Sequence, residues 1–167
     1  MNKSIKTIIA TTFTVGTLLA GISQISYAYA SPITSTQHQN TQQQNHQKLI
    51  KQTKQLAAEG KVINSESFGL GSTRNAIVKK WGKPEDSDAN TLFYEKRKIL
   101  FELKANKVTS VDSLDKRFQS INEKEVRQAL GKPNKVKHYE DGTEVYYKAG
   151  KHTLRFVFGT NVDVIVD

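Results

Sequence analysis

An α+β fold is what this sequence predicts: two tandem helix-plus-antiparallel-meander repeats forming one continuous sheet, with helices packed on one face. Three observations carry that expectation. The segment "STRNAIVKKWGKP" aligns without a gap on "INEKEVRQALGKP" at a shift of 49 residues. Both segments close on a Gly-Lys-Pro stop. Each stop is followed by short runs of alternating polarity, separated by turn residues.

The aligned segments read as helices. Thr73 and Asn122 occupy equivalent positions and are good N-caps. Asn122 is followed three residues later by Glu125, a capping-box pattern. Ile77 and Trp81 form one apolar stripe; Val126, Ala129 and Leu130 form the other. Gly82 and Gly131 stand where a helix end favours positive φ, and Pro84 and Pro133 forbid continuation. Helices this short are marginal alone in water and require a surface to pack against.

The strands supply that surface. "TLFYE", "KILFEL" and "KVTSV" follow the first stop; "KVKHY", "TEVYYK", "HTLRFVF" and "VDVIV" follow the second. Asp141-Gly142, Ala149-Gly150 and Gly159-Thr160-Asn161 mark hairpins. Alternation divides the faces. Ile99, Phe101 and Leu103 share one side of their strand, and Leu154, Phe156 and Phe158 share one side of theirs; these sides are expected to meet the helices. Leu100, Glu102, Arg155 and Val157 point the other way. Each unit has an apolar face too large to bury alone, so two units side by side would join their sheets and share a core. Repeat one spans about 68–112, a connector 113–120 with Leu114 and Phe118 as anchors, and repeat two about 121–167.

Upstream of this domain, at 61–167, the chain changes character. Lys3 and Lys6 precede an uncharged, largely apolar run of 15 residues, Ile8 to Ile22, and Ala28-Tyr29-Ala30 gives a small-x-small cleavage pattern. Residues 1–30 therefore read as a signal peptide, cut before Ser31, and the protein is expected to be secreted. Residues 31–47 are Gln- and Asn-rich without apolar periodicity, and are expected to be a disordered spacer. Residues 48–60 read as a short amphipathic helix, with Leu49, Ile50, Leu56 and Ala57 near one face. No cysteine occurs, so neither a disulfide framework nor acylation on a cysteine is available. The full chain carries a formal charge of +9, and loss of Lys3 and Lys6 leaves +7, enough to attract a polyanion.

Catalytic constellations are not found. His138 and His152 are the histidines of the folded part; with Asp141 or Glu144 they would form at most a weak metal or acid–base site. Glu85, Asp86 and Asp88 lack the glycine of a calcium loop. No catalytic residue, metal ligand or cofactor is expected.

Together, "GLGSTRNAIVKKWGKP", "SVDSLDKRF", "INEKEVRQALGKP" and "YYKAGKHTLRFVF" resemble the YjgB-type secreted proteins of Gram-positive bacteria, a family of unknown function. The resemblance covers Phe68 to about Phe158. More distantly, the repeat unit is similar to the tandem repeats of beta-lactamase inhibitor protein and of the small outer-membrane assembly lipoprotein. Those likenesses imply an open sheet face that contacts protein partners, and imply no catalysis. The expectation is therefore a secreted, non-enzymatic binding module of the envelope or medium. Its contact surface would comprise Leu100, Glu102, Tyr146, Arg155 and Val157, and its partner would be a protein or an anionic cell-wall polymer. Nucleic acid and stable membrane insertion are not expected. The alternative is an envelope-associated enzyme, or an enzyme accessory, using the His/acid groups.

Overall fold

The computed structural model describes residues 34–167, with side chains from Asn40 onward. The signal peptide expected at residues 1–30, with its cleavage site, lies outside the described residues. Among the described residues three α-helices, α1 (Thr34–Ala58), α2 (Arg74–Trp81) and α3 (Glu123–Leu130), accompany eight strands. The strands are β1 (Asp86–Ser87), β2 (Thr91–Tyr94), β3 (Ile99–Lys104), β4 (Lys107–Ser113), β5 (Lys135–Tyr139), β6 (Gly142–Ala149), β7 (His152–Phe158) and β8 (Val162–Val166). They form one antiparallel sheet in the order β1-β2-β3-β4-β8-β7-β6-β5. Each repeat contributes a helix and a four-stranded meander, and the last strands of the two meanders pair with each other. That junction comprises Val111 opposite Val166, Asp112 opposite Ile165 and Ser113 opposite Val164. The strand order therefore reads the same inward from either edge, as an approximate two-fold relation between the repeats requires.

The repeated helix punctuation acts as its chemistry dictates. Thr73 accepts from the Ala76 amide, and Asn122 and Glu125 form a reciprocal capping box. Gly82 and Gly131 close their helices at φ 86° and 81°, where a β-carbon would be strained. Each of these glycines has a second partner that the alignment does not show. Tyr94 on β2 donates to the Gly82 carbonyl at 2.8 Å, and Tyr147 on β6 donates to the Gly131 carbonyl at 3.1 Å. In both repeats a buried tyrosine from the second strand thus ties the helix end to the sheet.

All three helices cover one side of the sheet. Trp81 of α2 packs against Tyr94 and Phe101, Val126 of α3 is buried in the core, and Lys54 of α1 lies over the Tyr147 ring. Ile99, Phe101, Leu103, Leu154 and Phe156 are buried on this side, as the alternation predicts, while Phe158 is half-buried. The apolar stripes are anchored by Ile77 and Val126, both fully buried. Trp81 and Leu130 are half-buried at the core margin. Trp81 is held there by the Arg97 guanidinium, 4.1 Å above its ring, and by donation of its Nε1–H to Glu66 at 3.2 Å.

The spacer expectation for 31–47 needs correction. The helix beginning at Thr34 runs through that segment and continues without a break to Ala58, absorbing the helix expected at 48–60. His46, Leu49, Ile50, Thr53 and Ala57 form its buried stripe. The reason is polar packing: His46 lies with Nδ1 2.9 Å from Glu125 Oε1 and Nε2 3.1 Å from Ser120 Oγ, and Gln43 donates to Gln128 of α3. Hydrogen-bonded His and Gln side chains here do what apolar residues do one turn later. Among the described residues, no helix is long and apolar enough to cross a membrane.

Candidate binding face

Among the described residues, no α-helix covers the opposite side of the sheet. Its central rank can be followed strand by strand through the pairing register: Lys135, Tyr146, Arg155, Ile165, Asp112, Leu100, Phe93 and Asp86 stand successively opposite one another. Eight strands at about 4.8 Å spacing make a face about 34 Å wide. Three of the expected contact residues, Leu100, Arg155 and Tyr146, lie in this rank. Val157 lies in a neighbouring rank, opposite Glu144 and Asp163. Glu102 lies on the same face in the rank flanking the central one on its other side, opposite Thr91 and Ser110. The five thus share one face, with Leu100 and Tyr146 about 19 Å apart across four strand steps.

Sequence reasoning missed the middle of the face. Asp112 and Ile165 stand between Leu100 and Arg155, and Asp163 is diagonal to Asp112. A β-bulge is responsible. Leu103 pairs with Val108 and Glu102 with Ser110, so Thr109 is an extra residue and the alternation of β4 is reset. Counted strictly from buried Val108, Asp112 would face the helices; after the bulge it faces outward. The detectable signal was Val111, an apolar residue out of phase with Val108 in "KVTSVDS".

Charge on the face is organised around Arg155. Its Nη1 donates to Glu144 at 3.2 Å and its Nη2 to Asp167 at 3.4 Å, and its guanidinium lies 5.8 Å from the Tyr146 ring centre. Glu144 also accepts from the hydroxyls of Tyr139 and Tyr146. Burial pushes the Glu144 carboxyl up, but Tyr146, Tyr139 and Arg155 together hold it below its ordinary value. Asp112 shows the reverse balance. Burial, then the neighbouring Asp163 charge, push its carboxyl up to about 7 despite Arg155. Burial raises Asp163 as well. The Oδ1 atoms of both aspartates are buried without a hydrogen-bond partner. At the edge of the face an open groove of about 500 Å³ has Phe93 and Leu114 as its apolar lining, with Lys98, Lys116 and Asp163 around it.

The His/acid groups are not assembled. His138 stands opposite Thr143 at one end of β6, and His152 opposite Ala149 at the other, six residues or about 20 Å away. Glu144 projects to the face opposite His138 and is already engaged by Tyr139, Tyr146 and Arg155. Among the described residues, no group of three or more His, Cys, Asp or Glu is placed to hold a metal ion.

Residues 50–167 match the family model described as a domain of unknown function, DUF4309. Among solved structures, the chain is similar to the crystal structure of a DUF4309 family protein, YjgB, from Bacillus subtilis. The TM-score is 0.64 at 19% sequence identity, covering 74% of this chain and 98% of that one. No curated protein matches the sequence.

Proposed function

The chain belongs to the DUF4309 family, whose function is unknown, and on that premise we propose that it is a secreted, non-enzymatic binding module contacting a protein through the open sheet face. The observation that carries this reading is the composition of the uncovered face. Phe93, Leu100, Tyr146, Val157 and Ile165 are half-buried apolar or aromatic side chains interleaved with Arg155. Aromatic residues and arginine are the types that most often dominate interfaces, and a solvated face has no need of them. The charged, apolar and small-x-small segments of residues 1–30 support export. The separation of His138 from His152 favours binding over catalysis.

Size sets the kind of contact. A face about 34 Å wide and five residues deep offers on the order of 600 Å², below the roughly 800 Å² per partner of a standard stable interface. A transient partner, or one that also touches the rim, fits best. The test is capture from native envelope and medium with wild type and with Tyr146→Ala/Arg155→Glu, after circular dichroism establishes that the variant folds. A defined protein retained by wild type and lost by the variant supports the reading. Equal capture by both refutes it.

A further inference from the structure

Beyond the protein-contacting face, we infer that its β5 margin is a second binding site, for a flexible phosphate-bearing polymer such as a chain of polyol phosphates. Lys135 and Lys137 of β5 stand opposite Tyr146 and Glu144 of β6, so both project over the open face. Lys148, two residues beyond Tyr146 on β6, projects to the same side. The ammonium groups of Lys135 and Lys137 lie 5.7 Å and 5.4 Å from the Tyr146 ring centre. Hydrogen bonding to the Tyr146 and Tyr139 hydroxyls holds the Lys137 ammonium above its ordinary value.

The anion that faces these lysines is already satisfied. Glu144 takes two tyrosine hydroxyls and Arg155, and among the described residues Lys135, Lys137 and Lys148 form no ion pair. The remaining nearby carboxylates, Glu140 and Asp141, belong to the turn beyond the end of β5. The margin is therefore a row of uncompensated positive charge.

The chemistry of the row selects the ligand. The one arginine fork present, Arg155, is occupied by Glu144 and Asp167, so bidentate recognition of a carboxylate is not on offer. What remains is lysine, a point charge that suits phosphate and imposes little direction. Consecutive bases of a nucleic acid would need several free ring faces. Tyr146 is surrounded by Lys135, Lys137 and Arg155, and among the described residues Tyr139, 51% exposed, is the only exposed large hydrophobic side chain. One ring can support a polyol or sugar but not a run of stacked bases. The competing explanation is that edge lysines merely discourage strand-to-strand association. It makes a different prediction, because glutamate would guard the edge equally well.

The experiment is a titration of the purified chain with poly(glycerol phosphate), polyphosphate, poly-glutamate and single-stranded DNA at several salt concentrations. Wild type is compared with Lys135→Glu/Lys137→Glu and with Lys48→Glu/Lys51→Glu, a control of equal charge change on α1. The inference expects the phosphate polymers to bind more tightly than poly-glutamate or DNA. It expects the β5 variant to lose about tenfold or more in affinity near 0.1 M salt, with a shallower salt dependence. The α1 variant should lose less than about twofold. Equal losses in both variants, tighter DNA or poly-glutamate binding, an unchanged β5 variant or no binding at all would each overturn it. Tyr146 and Arg155, whose replacement tests the protein-contacting face, are left intact, so the two readings are tested by different variants.

Discussion

Replacing Asp112 by asparagine should make the protein more stable at neutral pH. Asp112 stands at the junction of the two repeats, between Leu100 and Ile165, with Asp163 on the diagonal and one carboxylate oxygen buried without a partner. Its carboxyl is raised from the ordinary 3.8 to about 7 by burial, then by Asp163, with Glu102 adding and Arg155 opposing. An acid that titrates higher when folded holds more protons in the native state. The destabilisation it causes is therefore absent below about pH 4 and grows as pH rises towards 7. A rise from 3.8 to about 7 corresponds to about 4 kcal/mol. Water reaching the open face screens part of this, leaving about 2–4 kcal/mol. Asp112→Asn keeps the shape and removes the charge. Urea unfolding followed at several pH values should show the variant about 2–4 kcal/mol more stable at pH 8 and close to wild type at pH 4. With a urea slope of roughly 1–3 kcal/mol/M, the midpoint at pH 8 should rise by about 1 M or more. Parallel stability curves for the two proteins, or a variant weaker at pH 8, would refute the reasoning.

Tyr94→Phe and Tyr147→Phe should each cost about 0.5–1.5 kcal/mol by freeing a helix-terminal carbonyl. The losses should add in the double variant, because the two sites belong to different repeats; denaturant unfolding of the three variants checks this. Asp115 responds to pH with the opposite sign to Asp112. Hydrogen bonds from Arg117, helped by Asn64, hold its carboxyl below the ordinary value against the effect of burial. Its contribution is present above the unfolded pKa and lost as pH falls through the folded one. Asp115→Asn should therefore destabilise at pH 7 by about 1–3 kcal/mol, and the difference from wild type should shrink in acid.

The elements most legible in the sequence were those specified locally. Asn122 and Glu125 cap a helix from three residues apart, and Ile99, Phe101, Leu154 and Phe156 declare a buried face by simple alternation. The features that escaped depend on distant partners or broken periods. The pairing of Val111 with Val166 joins residues 55 positions apart, and nothing local in either strand names the other. The bulge at Thr109 reverses the parity that alternation relies on, which concealed Asp112. Gln43 and His46 of α1 meet polar groups on α3, Gln128 and Glu125, so an apolar period could not reveal His46 as a buried residue. Leu100, Glu102, Arg155 and Val157 could be assigned to the side away from the helices because β3 and β7 keep a clean alternation. The acidic centre between them could not be placed without the junction of the repeats.

The claim that the open face is the contact surface is tested most directly by site-specific photocrosslinking in native medium and envelope. A benzophenone side chain is installed at Val157, on the open face opposite Asp163, or at Gln128 on α3, behind the sheet. The account predicts a discrete protein adduct from Val157 and none from Gln128. An adduct from Gln128 with none from Val157 would contradict it and move the contact to the helical side.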